Sequence, residues 1–181
     1  MFVYDPQFQK LKVNRSVTTM ADGKQVATPD NAYNELLPGF AANVPAWNRL
    51  REMVVTHTAL ERGSTIDFDY ILSTAKGYSS SLMGNEQLLM NSPVKKLTFK
   101  ITVPSGAILN FEQYNIAAKP TVTKQNGVTT YTWVLPDLPA TTREDFRPRE
   151  QQNRPRIVCV ASTKATDPML SFAMQDAFKC E

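Results

Sequence analysis

The residues best able to do covalent chemistry are two cysteines, Cys159 and Cys180, and the chain's one histidine, His57. A thiol and an imidazole could form a nucleophile and its general base, but a catalytic thiolate needs a lowered pKa and access to substrate. Cys159 lies in the apolar run 157–161, where burial would raise its pKa. Cys180 lies toward the C-terminal end of a predicted helix, where the helix dipole disfavours a thiolate. We therefore predict no catalytic residue, and a chain that is not an enzyme by itself.

The composition also limits metal and cofactor sites. The cysteines are 21 positions apart, which fits neither a zinc ribbon nor a redox pair, and two alternatives stay open: a disulfide, or two free thiols with Cys159 in the core. One histidine with no carboxylate at helical ligand spacing is a poor set of metal ligands. Asp67 and Asp69 share a strand face that we interpret as the solvent face. Because glycine-rich phosphate loops are also absent from the sequence, we predict neither a metal nor a cofactor.

Arginines cluster between residues 143 and 156. Five arginines and three acidic residues give this stretch a net charge of +2, with one phenylalanine. Nucleic-acid binding favours more concentrated positive charge interleaved with aromatic rings, so we expect no nucleic-acid partner. Arginine instead suits paired contacts with carboxylates. The prolines of this stretch predict a long irregular connection, typical of a function or an interface. We assign a surface for a neighbouring domain or a ligand to Arg143, Glu144, Arg147, Arg149, Arg154 and Arg156.

Four further residues are candidates for a partner or ligand surface. His57 follows Met53 and Val55 on one strand face, where a lone histidine is more often packed, or directed at a partner, than catalytic. The other three candidates are aromatic residues that lie outside the clearest core-facing sets, namely Trp47, Tyr78 and Tyr114. Such rings can stack on sugars or pack beneath loops, and the sequence leaves both alternatives open.

Length and composition indicate a globular chain. The sequence has 181 residues, of which 42% are hydrophobic and 20% charged, with a formal net charge of +3. These values exclude collagen-like, low-complexity and coiled-coil proteins. No stretch approaches the ~18 uninterrupted apolar residues of a transmembrane helix, so we predict no membrane span. The net charge is too mild to indicate a nucleic-acid or membrane partner.

Alternation of apolar and polar residues predicts antiparallel strands. Every second side chain from Ile66 to Leu72 falls on one face, which predicts a half-buried strand. The same alternation runs through residues 97–103 and 130–135. Asn126-Gly127 lies between two such runs and predicts a tight hairpin turn, whose central residues need positive φ. Six or more strands at roughly ten-residue spacing indicate a sandwich or barrel.

Helix is predicted mainly near the C-terminus, where Asp167-Pro168 could cap and begin a helix over Met169–Phe178. The predicted fold class is all-β, a mainly antiparallel β-sandwich with one short C-terminal helix. We assign residues 1–165 to the sandwich domain and 166–181 to the start of a helical linker. The chain begins without the pattern of a signal peptide and stops within the predicted helix, so we expect it to be a piece of a longer protein.

Three stretches of the sequence resemble a known family. Residues 51–70 are similar to the strand, E-x-G-x-x-I, strand pattern of a bacterial domain named DUF3857. The family also has a series of four short motifs: Y-x-W, x-P-A, an acidic residue and P-R-I. The residues of this chain that resemble them are, in the same order, Tyr131-Thr132-Trp133, Leu138-Pro139-Ala140, Glu144 and Pro155-Arg156-Ile157. Pro104-Ser105-Gly106-Ala107 fits the residues that follow the family's central strand. The resemblance covers about residues 30 to 162, although Val-Leu stands where many relatives have Asn after the Trp motif.

The resemblance implies a context for the chain. DUF3857 domains typically precede a transglutaminase-like domain in exported proteins, especially of Bacteroidetes, and the Cys, His and Asp of that core are not matched here. It therefore implies a non-catalytic accessory domain in the periplasm or outside the cell, docked on a downstream transglutaminase-like domain of the same chain. The expected contact surface is Pro139 to Ile157 with the predicted helix. The alternative is a β-sandwich module that binds a carbohydrate or a peptide.

Overall fold

A computed structural model describes residues 2–78, 82–88, 90–140 and 155–162 of the chain. Within these residues the fold consists of twelve strands and three single-turn 3₁₀ helices. The chain divides into two compact units, Met1–Tyr78 and Ser79–Glu181. Each unit contains two three-stranded sheets in which all neighbouring strands are antiparallel. The prediction of an all-β, antiparallel fold is confirmed.

The first unit is built from six strands in two sheets, with the orders β1-β5-β4 and β3-β2-β6. The longest pairing joins β2 to β6, with a register shift between Val13 and Arg15 that marks a bulge in β2. Two of its 3₁₀ turns, Gly39–Ala41 and Pro45–Trp47, lie between β4 and β5. The strands are β1 (Phe2–Tyr4), β2 (Gln9–Thr19), β3 (Gln25–Ala27), β4 (Tyr33–Leu36), β5 (Arg51–Val55) and β6 (Thr65–Thr74).

The apolar face of β6 is less buried than its alternation predicts. Phe68 is half-buried and stacks on Phe2, with ring centroids 5.6 Å apart. Ile66, Tyr70 and Leu72 are 45%, 41% and 40% exposed, so the predicted burial of this face is wrong for three of its four residues. The physical reason is length. A ten-residue strand is about 33 Å long, and the other sheet of this unit has strands of only three to five residues.

The described residues of the second unit also form six strands in two sheets, with the orders β10-β11-β8 and β7-β12-β9. The hairpin between β10 and β11 has Asn126 at φ 51° and Gly127 at φ 73°, which confirms the turn predicted from these two residues. The strands are β7 (Leu82–Gln87), β8 (Val94–Pro104), β9 (Ile108–Tyr114), β10 (Thr121–Gln125), β11 (Val128–Leu138) and β12 (Arg156–Ser162).

One apolar core lies between the two sheets of the second unit. The alternating residues of β8 and β11 point into it, as predicted, with Ile101, Val103, Trp133 and Leu135 all buried. The other sheet contributes Ile157, Cys159 and Ala161 from β12. The two sheets therefore pack face to face, which is the sandwich arrangement that the alternation predicts.

Strand β12 occupies the centre of its sheet. It pairs with β7 on one side and with β9 on the other, and all seven of its residues are buried. The unbroken apolar run 157–161 matches this burial, because a strand covered on both faces needs no polar alternation. The predicted helix at Met169–Phe178 and the linker at 166–181 lie outside the described residues.

Trp133 provides a direct test of the core of the second unit. It is fully buried, and its indole Nε1–H donates to Oε1 of Gln113 at 3.2 Å. We expect Trp133→Ala to lower the free energy of unfolding by about 3–5 kcal/mol, because it leaves a large cavity and an orphaned amide acceptor. Chemical denaturation followed by circular dichroism measures this loss.

The matched control is the next residue on the same strand. Val134 is 46% exposed, so Val134→Ala should change the unfolding free energy by no more than about 0.5 kcal/mol. Equal losses for the two variants would show that the core does not lie where the structure places it.

Candidate functional site

His57 belongs to a small polar cluster in the first unit. Its Nδ1 lies 3.2 Å from Oγ of Ser16, and that hydroxyl is 2.7 Å from Oγ1 of Thr28. The His57 ring meets Phe68 edge to face at 5.7 Å. Thr18, on the same face of β2 as Ser16, is fully buried, and its Oγ1 has no hydrogen-bond partner among the described residues. Sequence patterns gave no sign of these hydroxyl partners, because β3 brings Thr28 to Ser16 only through strand pairing.

Tyr78 takes part in a stack at one end of the first unit. Its ring packs on Phe8 at 4.9 Å, and the guanidinium of Arg49 lies 5.8 Å from the same Phe8 ring. Arg49 Nε also donates to Oδ2 of the buried Asp5 at 2.7 Å. The contacts of Arg49 with Phe8 and Asp5 thus connect segments that are distant in sequence. Tyr78 packs on the same Phe8 ring and is exposed at the surface.

Trp47 lies with Phe40 in an exposed aromatic surface, which we call the Phe40–Trp47 patch and define as these two residues. The rings of Phe40 and Trp47 meet edge to face at 5.7 Å, and they are 58% and 47% exposed. In the same loop, Pro38 and Ala41 are fully buried. The sequence signal that was missed is the pair of prolines, Pro38 and Pro45, which frames a turn-rich loop around Phe40.

The loop that carries the patch has a defined backbone. Ala41 N–H donates to Pro38 O at 2.8 Å, Trp47 N–H donates to Val44 O at 2.9 Å, and Leu50 N–H donates to Trp47 O at 3.0 Å. Successive 3₁₀ turns therefore present the two rings outward from a fixed base. An exposed apolar surface on an ordered loop is typical of a protein contact.

Tyr114 and Arg156 are two predicted surface residues that the structure brings together. They face each other across β9 and β12, and the Arg156 guanidinium lies 4.4 Å from the centroid of the Tyr114 ring. Arg156 is buried, and its Nε has no hydrogen-bond partner in the part of the chain that the structure describes. The cation is thus held against an aromatic face. The other members of the predicted arginine surface, Arg143, Glu144, Arg147, Arg149 and Arg154, lie outside the described residues.

Cys159 is a buried free thiol on the core face of β12. Burial raises the pKa of this thiol above its usual value, the charge of Glu86 raises it further, and a hydrogen bond from the Gly84 backbone opposes the shift. A raised pKa leaves less thiolate at neutral pH, so this environment is the opposite of what a nucleophile needs. Cys180 lies outside the described residues.

A second strongly shifted group is Tyr4 in the first unit. The pKa of its phenol is raised to about 12, first by burial, then by the hydrogen bond that the phenol donates to Oε1 of Glu35 and by the charge of that carboxylate. The neighbouring Arg51 acts in the opposite direction. The contact joins β1 to β4 on either side of β5, so it supports the order of the short sheet.

The described residues define an all-β chain of two compact units, each with two antiparallel sheets. Within the described ranges, no group of three His, Cys, Asp or Glu side chains could hold a metal ion. In the same part of the chain, no helix has the length and apolar character needed to cross a membrane.

The chain belongs to the DUF3857 family. The family's sequence model, described as a domain of unknown function with a solved structure, matches residues 1–142. A crystal structure of a Parabacteroides distasonis protein described as a "putative protease" is similar to this chain, with 43% sequence identity and a TM-score of 0.83. The similarity covers 88% of this chain but only 32% of that protein, so the chain spans about a third of its relative's length. No curated protein matches the chain.

The burial of Cys159 predicts its reactivity. In a Cys180→Ser variant, Cys159 is the only thiol, and we expect it to react with a chromogenic disulfide at pH 7 roughly a hundredfold or more slowly than the unfolded chain does. The rate of colour release, with and without denaturant, measures this ratio. Fast labelling of the native protein would show an accessible thiolate and would remove the main argument against catalysis.

The shifted phenol of Tyr4 predicts a pH dependence of stability. Its pKa is about 12 in the folded chain against a usual value of 10, so folding favours the protonated form. This contribution is present in full below pH 10 and is lost as the pH rises from 10 to about 12. Comparing the unfolding free energies of the wild type and Tyr4→Phe across this window measures it. The two curves should converge as the pH rises, and parallel curves would contradict the assignment.

Proposed function

We propose that the chain is a non-catalytic accessory domain of a longer protein and docks on a further domain of that protein. The observation that carries the proposal is the Phe40–Trp47 patch. Two adjacent aromatic rings face solvent from a loop held by backbone hydrogen bonds, whereas folded chains usually bury such rings. The relative from Parabacteroides distasonis supports a further domain, since this chain matches only 32% of it.

The chemistry of the cysteine and the histidine supports the non-catalytic part of the proposal. The raised pKa of Cys159 disfavours a thiolate at neutral pH. Nδ1 of His57 is already within hydrogen-bonding distance of Ser16, whose hydroxyl is buried rather than open to a substrate. Any activity of the longer protein would then reside in residues beyond this chain.

The sequence resemblance supports a more specific context. We propose that the longer protein is an exported, transglutaminase-like protein of the kind found in Bacteroidetes, located in the periplasm or outside the cell. A similar chain within a Parabacteroides distasonis protein described as a "putative protease" is consistent with a hydrolytic or acyl-transfer partner domain. In this arrangement the accessory domain would shape access to the partner's active site.

A second candidate function is carbohydrate binding, and the exposure of Trp47 favours it. An indole that is 47% exposed can stack on the apolar face of a sugar ring. Titration of the chain with a panel of glycans, followed by tryptophan fluorescence, separates the two candidates. A saturable shift in emission that disappears in Trp47→Phe would favour sugar binding over domain docking.

The docking proposal is tested with the gene product that contains this chain. We expect the gene to continue past the codon for Glu181, and the remainder of the polypeptide, produced separately, to bind the 181-residue chain. Trp47→Ser should weaken this binding roughly thirtyfold, the typical loss for a central aromatic contact. Calorimetric titration measures the affinity.

The control for this experiment is Leu60→Ser. Leu60 lies in the first unit, outside the patch, and at 57% it is as exposed as Phe40. This variant should bind as the wild type does, and circular dichroism should show that both variants stay folded. A stop codon directly after Glu181, or equal binding by both variants, would overturn the docking proposal.

A further inference from the structure

Strand β8 has an unpaired edge in the second unit. It pairs with β11 along nearly its whole length, from Val94↔Leu138 to Pro104↔Val128, and its other edge has no partner strand among the described residues. In the facing sheet, β7 likewise pairs with β12 alone within those residues. The edge strands β7 and β8, which belong to different sheets, therefore border one open side of the sandwich, and we call this side the seam. A free edge of this kind presents backbone N–H and C=O groups that can pair with another chain.

The seam contains two mainly apolar cavities. One, of about 210 Å³, is lined by Met83, Phe99, Ile101 and Cys159, and the charged residues Glu86 and Lys100 also line it. An apolar rather than an acidic side chain of a partner therefore suits this cavity. The second, of about 150 Å³, lies further along β8 against Val103, Ala107 and Ala161. Leu82 and Thr102 line both cavities. An apolar cavity of about 150 Å³ can hold a benzene ring, so each of these has room for one apolar side chain.

The two faces of β8 differ in chemistry. Toward the core it presents Leu97, Phe99, Ile101 and Val103, and on the outer face it presents Lys96, Thr98, Lys100 and Thr102. With Lys95, the strand carries three lysines, all exposed, and no acidic residue. A strand added to this edge would have alternate side chains beside the cavities and beside the lysines, because successive side chains point to opposite faces.

We propose that the free edge of β8 binds an extended acidic segment of a partner protein as an added strand. Apolar side chains of the segment occupy the two cavities, and its acidic side chains lie beside Lys96 and Lys100. Backbone hydrogen bonds to β8 supply affinity, while the alternation of apolar and acidic residues supplies specificity. This inference rests on the second unit and does not depend on the Phe40–Trp47 patch.

The lysines argue against a second copy of β8 as the occupant. Antiparallel pairing of β8 with itself would place lysines near lysines, and like charges on facing strands are destabilising. An acidic strand converts the same charges into attraction. The charge of β8 therefore selects against self-association and in favour of an oppositely charged partner.

The probe for this site is a nine-residue peptide, Thr-Val-Glu-Val-Glu-Val-Glu-Val-Thr, with a fluorescent label. We expect saturable binding to the 181-residue chain by fluorescence anisotropy, and slower amide hydrogen exchange in β8 when the peptide is bound. Lys100→Glu should weaken binding about fivefold, because a favourable cross-strand charge pair becomes a repulsive one. Lys100 is exposed, so this variant should fold normally.

Two further peptides test the two parts of the proposal. A peptide with lysine in place of glutamate should bind the wild type weakly and bind Lys100→Glu better, which reports on charge. The acidic peptide with methylated amide nitrogens should lose binding, which reports on backbone pairing. Absence of saturable binding by the acidic peptide up to millimolar concentration would overturn the proposal. So would equal binding of the acidic and lysine peptides, or a chain that dimerises through β8.

Discussion

The second unit depends on one buried contact between its sheets. Trp133 comes from β11, and the acceptor for its indole N–H comes from Gln113 on β9, in the opposite sheet. The same Gln113 amide donates to the carbonyls of Ile116 and Ala118, at 2.9 and 3.1 Å. One glutamine thus satisfies the polar end of the largest buried side chain and fixes the segment that follows β9. A buried indole needs such an acceptor, so the apolar core and the loop are specified together.

The accuracy of sequence-based prediction differs between the two units for a physical reason. In the second unit the strands are long and face each other, so the alternation in β8 and β11 corresponds to real burial. In the first unit the alternation of β6 is just as regular, yet the sheet available to cover it is too short. Periodicity reports which residues share a face, but only tertiary structure decides whether that face is covered. The Asn126-Gly127 turn was predictable because its constraint is local to the backbone.

The candidate surfaces were harder to predict than the strands. Trp47 was identified because of its type, but its partner Phe40 was not, since no periodicity links residues on successive 3₁₀ turns. Tyr114 and Arg156 were each identified, and their contact follows from pairing between strands more than 40 positions apart. The partners of His57 arise in the same way, from the pairing of β2 with β3. The type of a side chain identifies single candidate residues, whereas strand register determines which of these residues lie next to each other.

The central position of β12 has a consequence for how the chain is made. Its neighbours β7 and β9 are not paired with each other. Neither can form its backbone hydrogen bonds to this sheet until β12, which begins at Arg156, has been synthesised. Among the described residues neither strand has another partner on the side where β12 pairs, so during synthesis on the ribosome both of these edges stay open while more than 40 further residues are added after β9. The sheet closes in one late step that joins contacts of long sequence separation, which slows folding. A nascent chain that stalled before residue 156 would carry two unsatisfied strands, and it would be a natural substrate for chaperones.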